Sequence, residues 1–329
     1  MSKELKITML GASGVGKTTL LTSMYEQFEA TSSQANLQLK PDIETAATLE
    51  RYLAQLKTLT YEFKAEERNK GIRGTLATAG PESLPSYIFD LGHNDQKQFL
   101  RLLFRDYPGG YILHNDIAGR RFVQKLLREC AAVIVAIDTP ALMELNGRWH
   151  EVRNKPGEIL KLFKTAYQTL DEPKLVIFAP VKCETYVQDE ASANKLIKCI
   201  QERYAPVLEF FQEPIRADKI AVVTAPVQTV GCVVFLKVEV ENLNQPRFYF
   251  RKISFDAKYS PKDSEQLLRY LLRFLLKMYI QDRSWPLFNP VRQFFKPDAE
   301  LKQAVEQFAK GCKTRGGFAV LQGQRLLSI

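Results

Sequence analysis

The chain has 329 residues, 45% hydrophobic and 25% charged, which admits a large buried core and excludes a disordered or low-complexity polypeptide. Five scattered cysteines (Cys130, Cys183, Cys199, Cys232, Cys312) without a C-x-x-C, and three distant histidines, argue for reduced thiols and against a disulfide framework or a metal cluster. The net charge of +9 is uneven: residues 1–246 carry 30 basic and 30 acidic side chains, residues 247–329 carry 16 and 7.

"LKITML" (5–10) reads as a buried strand, and Leu20, Leu21, Met24, Tyr25 and Phe28 follow at helical spacing. A second helix is expected over 41–59 with Pro41 in its first turn, then a polar, Gly- and Thr-rich loop over about 66–84. Strands at 86–91 and 98–106 pair with each other. Beyond them come a helix at 116–130, a strand at 131–138, a helix at 156–170, a strand at 174–180, a helix at 189–212 and a strand at 219–226. This alternation predicts an α/β fold of three layers, α/β/α, around a mostly parallel sheet.

The rhythm then breaks into a β-hairpin at about 232–255 and a strongly apolar helix at 261–280. Arg269, Arg273 and Lys277 form a basic stripe on that helix, a candidate for an anionic membrane but more simply a basic rim. The expected division is a domain over 1–280, with an insertion at about 31–84, and a basic extension over 281–329 packed on or flanking it. That basic quarter also offers itself to nucleic acid or an acidic protein, although its cations are scattered as on a solvated face. With no leader pattern and no spanning apolar run, the expected location is cytoplasmic.

"GASGVGKT" has the P-loop spacing, G-x-x-x-x-G-K-[ST]. Gly11, Ala12, Ser13, Gly14, Val15 and Gly16 would turn their backbone N–H groups toward phosphate oxygens. Lys17 would meet the outer phosphates, Thr18 would offer its hydroxyl to Mg²⁺, and Thr19, in the helix that starts near Lys17, is a further nucleotide-binding candidate. "RDYPGG" contains D-x-x-G; likeness to the small-GTPase motif implies Asp106 for Mg²⁺ and the Gly109 N–H for a terminal phosphate. Asp90 and Asp138 end strands without a glycine three residues on, and read as structural.

The order of P-loop, "RDYPGG", "PVKCE" and "VVTAP", with "YSPKDSEQLLRYLL" near the end, resembles the translation-factor-related (TRAFAC) class of P-loop GTPases. More narrowly it is similar to the bacterial double-GTPase and YcjX-like group, over roughly residues 5–280. That resemblance implies a small-GTPase-like P-loop NTPase fold, GTP/GDP with Mg²⁺, and a molecular switch acting on a protein partner in a bacterial conflict or defence system. It implies that Lys182 lies along the base, that Glu184 accepts from guanine, and that Thr224 and Ala225 meet the base carbonyl. A switch threonine would complete the metal site, for which Thr78 is favoured over Thr75. Two departures stand out. Val181 replaces the usual Asn or Thr of the base-reading loop, and Gly110 replaces the glutamine that orients water, which predicts slow hydrolysis. Arg105, Arg120 and Arg121 lie close by in sequence and are candidates to neutralise transition-state charge, but read more simply as ordinary helix-surface arginines. ATP/ADP as the ligand, or an adaptor that barely hydrolyses, are the alternatives.

Overall fold

The computed structural model describes residues 4–32, 35–63, 67–68, 84–93, 99–113, 115–240, 246–281, 286–295 and 299–329. An eight-stranded sheet forms the middle layer. Its strands are β1 (Glu4–Leu10), β2 (Leu37–Pro41), β4 (Ser86–His93), β5 (Phe99–Arg105), β6 (Ala132–Asp138), β7 (Lys174–Val181), β8 (Ile220–Thr224) and β11 (Ala319–Gln322). Their spatial order is β11-β8-β7-β6-β1-β5-β4-β2. Strands β5, β1, β6, β7 and β8 run parallel, while β4, β2 and β11 pair antiparallel. This is the expected P-loop NTPase fold, with the mostly parallel sheet that the alternation predicted.

The local reasons are visible in the chain. "AVIVAID" is buried at every position, as a central parallel strand covered on both faces must be. Only five residues separate β4 from β5, too few for a crossover helix, so this pair is antiparallel. The strand β2 was not expected. Its last residue, Pro41, cannot donate to a ladder, which suits the end of an edge strand. Helix α2 (Ile43–Tyr61) therefore starts after Pro41, capped by Asp42, whose side chain accepts from Thr45 N at 2.9 Å. The expected helix over 189–212 is two, Glu190–Arg203 and Ala205–Gln212, because Pro206 in the first turn of the second has no N–H to continue the first.

A smaller sheet stands apart: β9 (Val233–Val240) and β10 (Pro246–Lys252) form the expected hairpin, and β3 (Glu67–Arg68) joins its edge. The last residues do not hang outside the main core. Phe288, Val291, Phe294, Leu301, Val305, Phe308 and Leu327 lie in the same cluster as β1 and β6. The basic stripe of the helix Gln266–Ile280 faces this segment: Arg269 Nη1 donates to Phe308 O at 2.6 Å and Arg273 Nε to Leu327 O at 2.5 Å. Two of its three cations thus cap carbonyls inside the fold rather than meet a membrane. Among the described residues no helix is long and apolar enough to cross one.

Candidate functional site

The loop between β1 and α1 (Lys17–Ser32) is the P-loop of the sequence. Gly14 and Gly16 take φ of +76° and +114°, a region that side chains rarely adopt, and this turns the backbone inward ahead of the helix. Lys17 is 7% exposed; its Nζ donates to Gly11 O at 3.0 Å and lies 5.7 Å from the centre of the Tyr107 ring. Burial lowers its pKa, against the opposing field of Asp106. A desolvated ammonium with mainly carbonyl partners is a cation that an anionic ligand would satisfy.

Strand β5 ends beside the P-loop. Thr18 Oγ1 donates to Asp106 Oδ2 at 3.1 Å, and Asp106 Oδ1 accepts from Tyr107 N at 3.0 Å. A hydroxyl and a buried carboxylate side by side make a hard oxygen pair of the kind Mg²⁺ takes. Gly109 is pressed against the P-loop so closely that a Cβ there would overlap the backbone of Ala12 and Ser13. The structure thus brings Gly11, Ala12, Ser13, Gly14, Val15, Gly16, Lys17, Thr18 and Thr19 together with Asp106 and Gly109. Thr78, the switch threonine of the sequence, lies outside the described residues.

A cavity of about 430 Å³ is lined by residues 13–19 of the P-loop and the start of α1, with Tyr107, Gly109 and Arg153. Its lining also takes in Lys182, Glu184, Thr229, Val230 and Val233, and the apolar Leu56, Leu59, Phe63 and Phe250 with Thr60, from α2, the residues just after it and the hairpin. The volume is in the range of small-molecule sites.

Lys182 and Glu184 therefore reach the cleft. Lys182 has φ of +61°, and its Nζ pairs with Asp138 Oδ2 at 2.6 Å. Asp138, set aside in the sequence as structural, also caps the next helix by accepting from Ala141 N. Glu184 Oε1 accepts from Val230 N at 3.1 Å and Gly231 N at 3.0 Å, so the acid closes the 228–231 loop over the cavity. Burial raises its pKa, although these N–H donors pull it down. Val181 is fully buried, and its Cγ2 lies 3.8 Å from where a Cβ on Gly16 would stand. An apolar contact with the P-loop thus stands where Asn or Thr would place a polar one.

Thr224 and Ala225 are not brought to the cleft. Thr224 is fully buried and its Oγ1 donates to Gly317 O at 2.8 Å. Ala225 N donates to Phe178 O at 2.9 Å and Val227 N to Pro180 O at 2.8 Å. The β7–β8 ladder runs on through these bonds, so the chain turns into the cavity only at Thr229 and Val230. Sequence reasoning missed this pair; "QTVGC" carried the signal, since Gly231 takes φ of +76° just after them.

No family model matches the chain, and no curated protein does. Among solved structures, the signal recognition particle receptor SRb-GTP/SRX complex from Chaetomium thermophilum is similar at 17% identity and a TM-score of 0.34, over 69% of this chain and 91% of that one. The S. cerevisiae Ski7 GTPase-like domain bound to GTP is similar at 12% identity and a TM-score of 0.35, with 68% of this chain and 42% of that one covered. The Methanosarcina barkeri Roco2 RocCORdC structure bound to GDP is similar at 12% identity and a TM-score of 0.29, with 98% and 73% covered. Scores this low carry no argument about function.

Proposed function

We propose that the chain is a Mg²⁺-dependent, GTP-binding switch that hydrolyses slowly and acts on a protein partner. The observation that carries this is the buried Lys17 ammonium beside the 3.1 Å contact of Thr18 with Asp106, at the mouth of a P-loop. Lys17 and the N–H groups of Gly14, Val15 and Gly16 would hold the phosphates, as a helix N-terminus and a nest of amides do. Thr18 and Asp106 would hold the metal. Bound there, Mg²⁺ would neutralise charge on the outer phosphates. Gly109, packed on Ser13, would report a terminal phosphate to the chain that follows it, the switch device of such folds.

Glu184 favours guanine, because its carboxylate offers acceptors where guanine has donors. Gly110, in place of a glutamine, supports a low intrinsic rate. The test is titration of fluorescent GDP and ADP analogues with and without Mg²⁺. GDP should bind at least tenfold tighter than ADP. The reverse order would make the chain an ATPase, and tight GDP binding with no turnover would make it an adaptor.

A further inference from the structure

A second cavity of about 410 Å³ shares Ser13, Gly109 and Arg153 with the first and is lined also by Gly110, Lys155 and Arg247 among others. Arg153 lines both cavities. It comes from the short helix His150–Asn154, more than 40 residues after the D-x-x-G loop. Nη2 donates to Pro246 O at 3.2 Å, and the guanidinium lies over the Phe248 ring at 5.5 Å. Its Nε is buried with no hydrogen-bond partner. A buried donor left unpaired costs about 1–3 kcal/mol, so the guanidinium is not fully satisfied by Pro246 and Phe248.

The arginines nearer in sequence are engaged or turned outward. Arg120 donates to Ile112 O at 2.9 Å and pairs with Glu158; Arg105 Nη1 donates to Ser86 Oγ at 2.5 Å; Arg121 is exposed. We infer that Arg153 is a catalytic arginine supplied in cis to the terminal phosphate of the bound nucleotide. The inference rests on the nucleotide reading above and supplies charge to the transition state, a role separate from that of the water-orienting glutamine that Gly110 replaces. In the reaction, a water oxygen bonds to the γ-phosphorus and the bond to the β–γ bridging oxygen breaks. The diphosphate leaves with the electron pair, and the water proton passes to the released phosphate. Arg153 stays protonated and donates to the oxygens on which charge grows.

The variants are Arg153→Gln, which keeps a donor for Pro246 O but loses the charge, and Arg153→Lys, which keeps the charge but loses the fork. GDP affinity, trapping of GDP by aluminium fluoride, melting temperature and single-turnover hydrolysis are measured on the full chain. We expect GDP affinity within threefold of the unaltered chain, loss of trapping in Arg153→Gln, and turnover about 100-fold or more slower, partly recovered in Arg153→Lys. Unchanged trapping and turnover overturn the inference. So does a parallel fall in melting temperature and GDP affinity, which marks a tether for β10 only. An unaltered chain that binds no nucleotide overturns the proposed function itself, a distinct outcome.

Discussion

At the phosphate end of the cleft, eight consecutive residues, 11–18, and one loop, 106–109, supply nearly everything that would touch a ligand. At the base end, Lys182, Glu184, Thr229, Val230, Leu56 and Phe250 come from four separated segments. The first end is held by backbone: two positive-φ glycines and a glycine with no room for a Cβ. The second is held by side chains, through Lys182 on Asp138 and Glu184 on Val230 and Gly231. A backbone device is written in local sequence, whereas a side-chain device needs the fold to assemble it. On the proposed reading, phosphate binding would therefore be the stable part of this site, and base selectivity the part open to change.

The sharpest way to break the comparison is Lys17→Ala. Removing a charge-assisted donor should weaken GTP binding about 100-fold or more, about 3 kcal/mol, by titration. The melting temperature should hold or rise, because the ammonium is buried at a desolvation cost. If GTP affinity survives, the phosphate end is not where the ligand sits.

A pH series probes the side-chain end. Asp138 N donates to Asn154 Oδ1 at 2.7 Å, and Asn154 Nδ2 lies 3.1 Å from His150 Nδ1, so His150 supports the Lys182 anchor. Burial holds its pKa down to about 4, against an ordinary 6.5. The folded imidazole stays neutral while the unfolded one takes a proton, so stability is present above pH 6.5 and is lost as pH falls toward 4, by about 3 kcal/mol. Denaturant midpoints between pH 7.5 and 4.5 should show this slope, and His150→Gln should flatten it. An unchanged slope in that variant would assign it to other groups.

Gly109→Ala should cost about 2 kcal/mol, since the methyl overlaps backbone that cannot step aside. Chemical denaturation reads the loss, and GTP affinity should fall more than GDP affinity. A neutral result would mean that the two loops are not in contact.

The smallest effect is expected from Glu184→Ala. The preference for GDP over ADP should fall about tenfold, roughly 1.4 kcal/mol, as the guanine acceptor is lost and the Val230 and Gly231 donors are released. A preference that persists would move base reading to Thr229 or to the apolar wall of α2.

Much of the fold was legible. The P-loop, D-x-x-G and hairpin stand where the chain's patterns put them, because glycines at fixed offsets and short apolar runs have few other uses. The β2 strand was hidden by its short length and terminal proline. Thr224 and Ala225 were misplaced for a different reason. The pattern "VVTAP" ends a strand in the sequence, but backbone bonds to Phe178 and Pro180 carry the pairing two residues further.

By itself the sequence determined the backbone devices: the glycine turn, the buried parallel strands, and the lysine, threonine and aspartate of the phosphate end. Only the tertiary structure decided the rest. It lined the cavity with Thr229 and Val230 rather than Thr224, turned Arg269 and Arg273 inward, and set Arg153 in the lining of one cavity with Gly110 and Ser13. The physical reason is reach. Local conformation follows from a residue and its neighbours, whereas a side chain's partner across the fold depends on strand order and on where a ladder of hydrogen bonds stops.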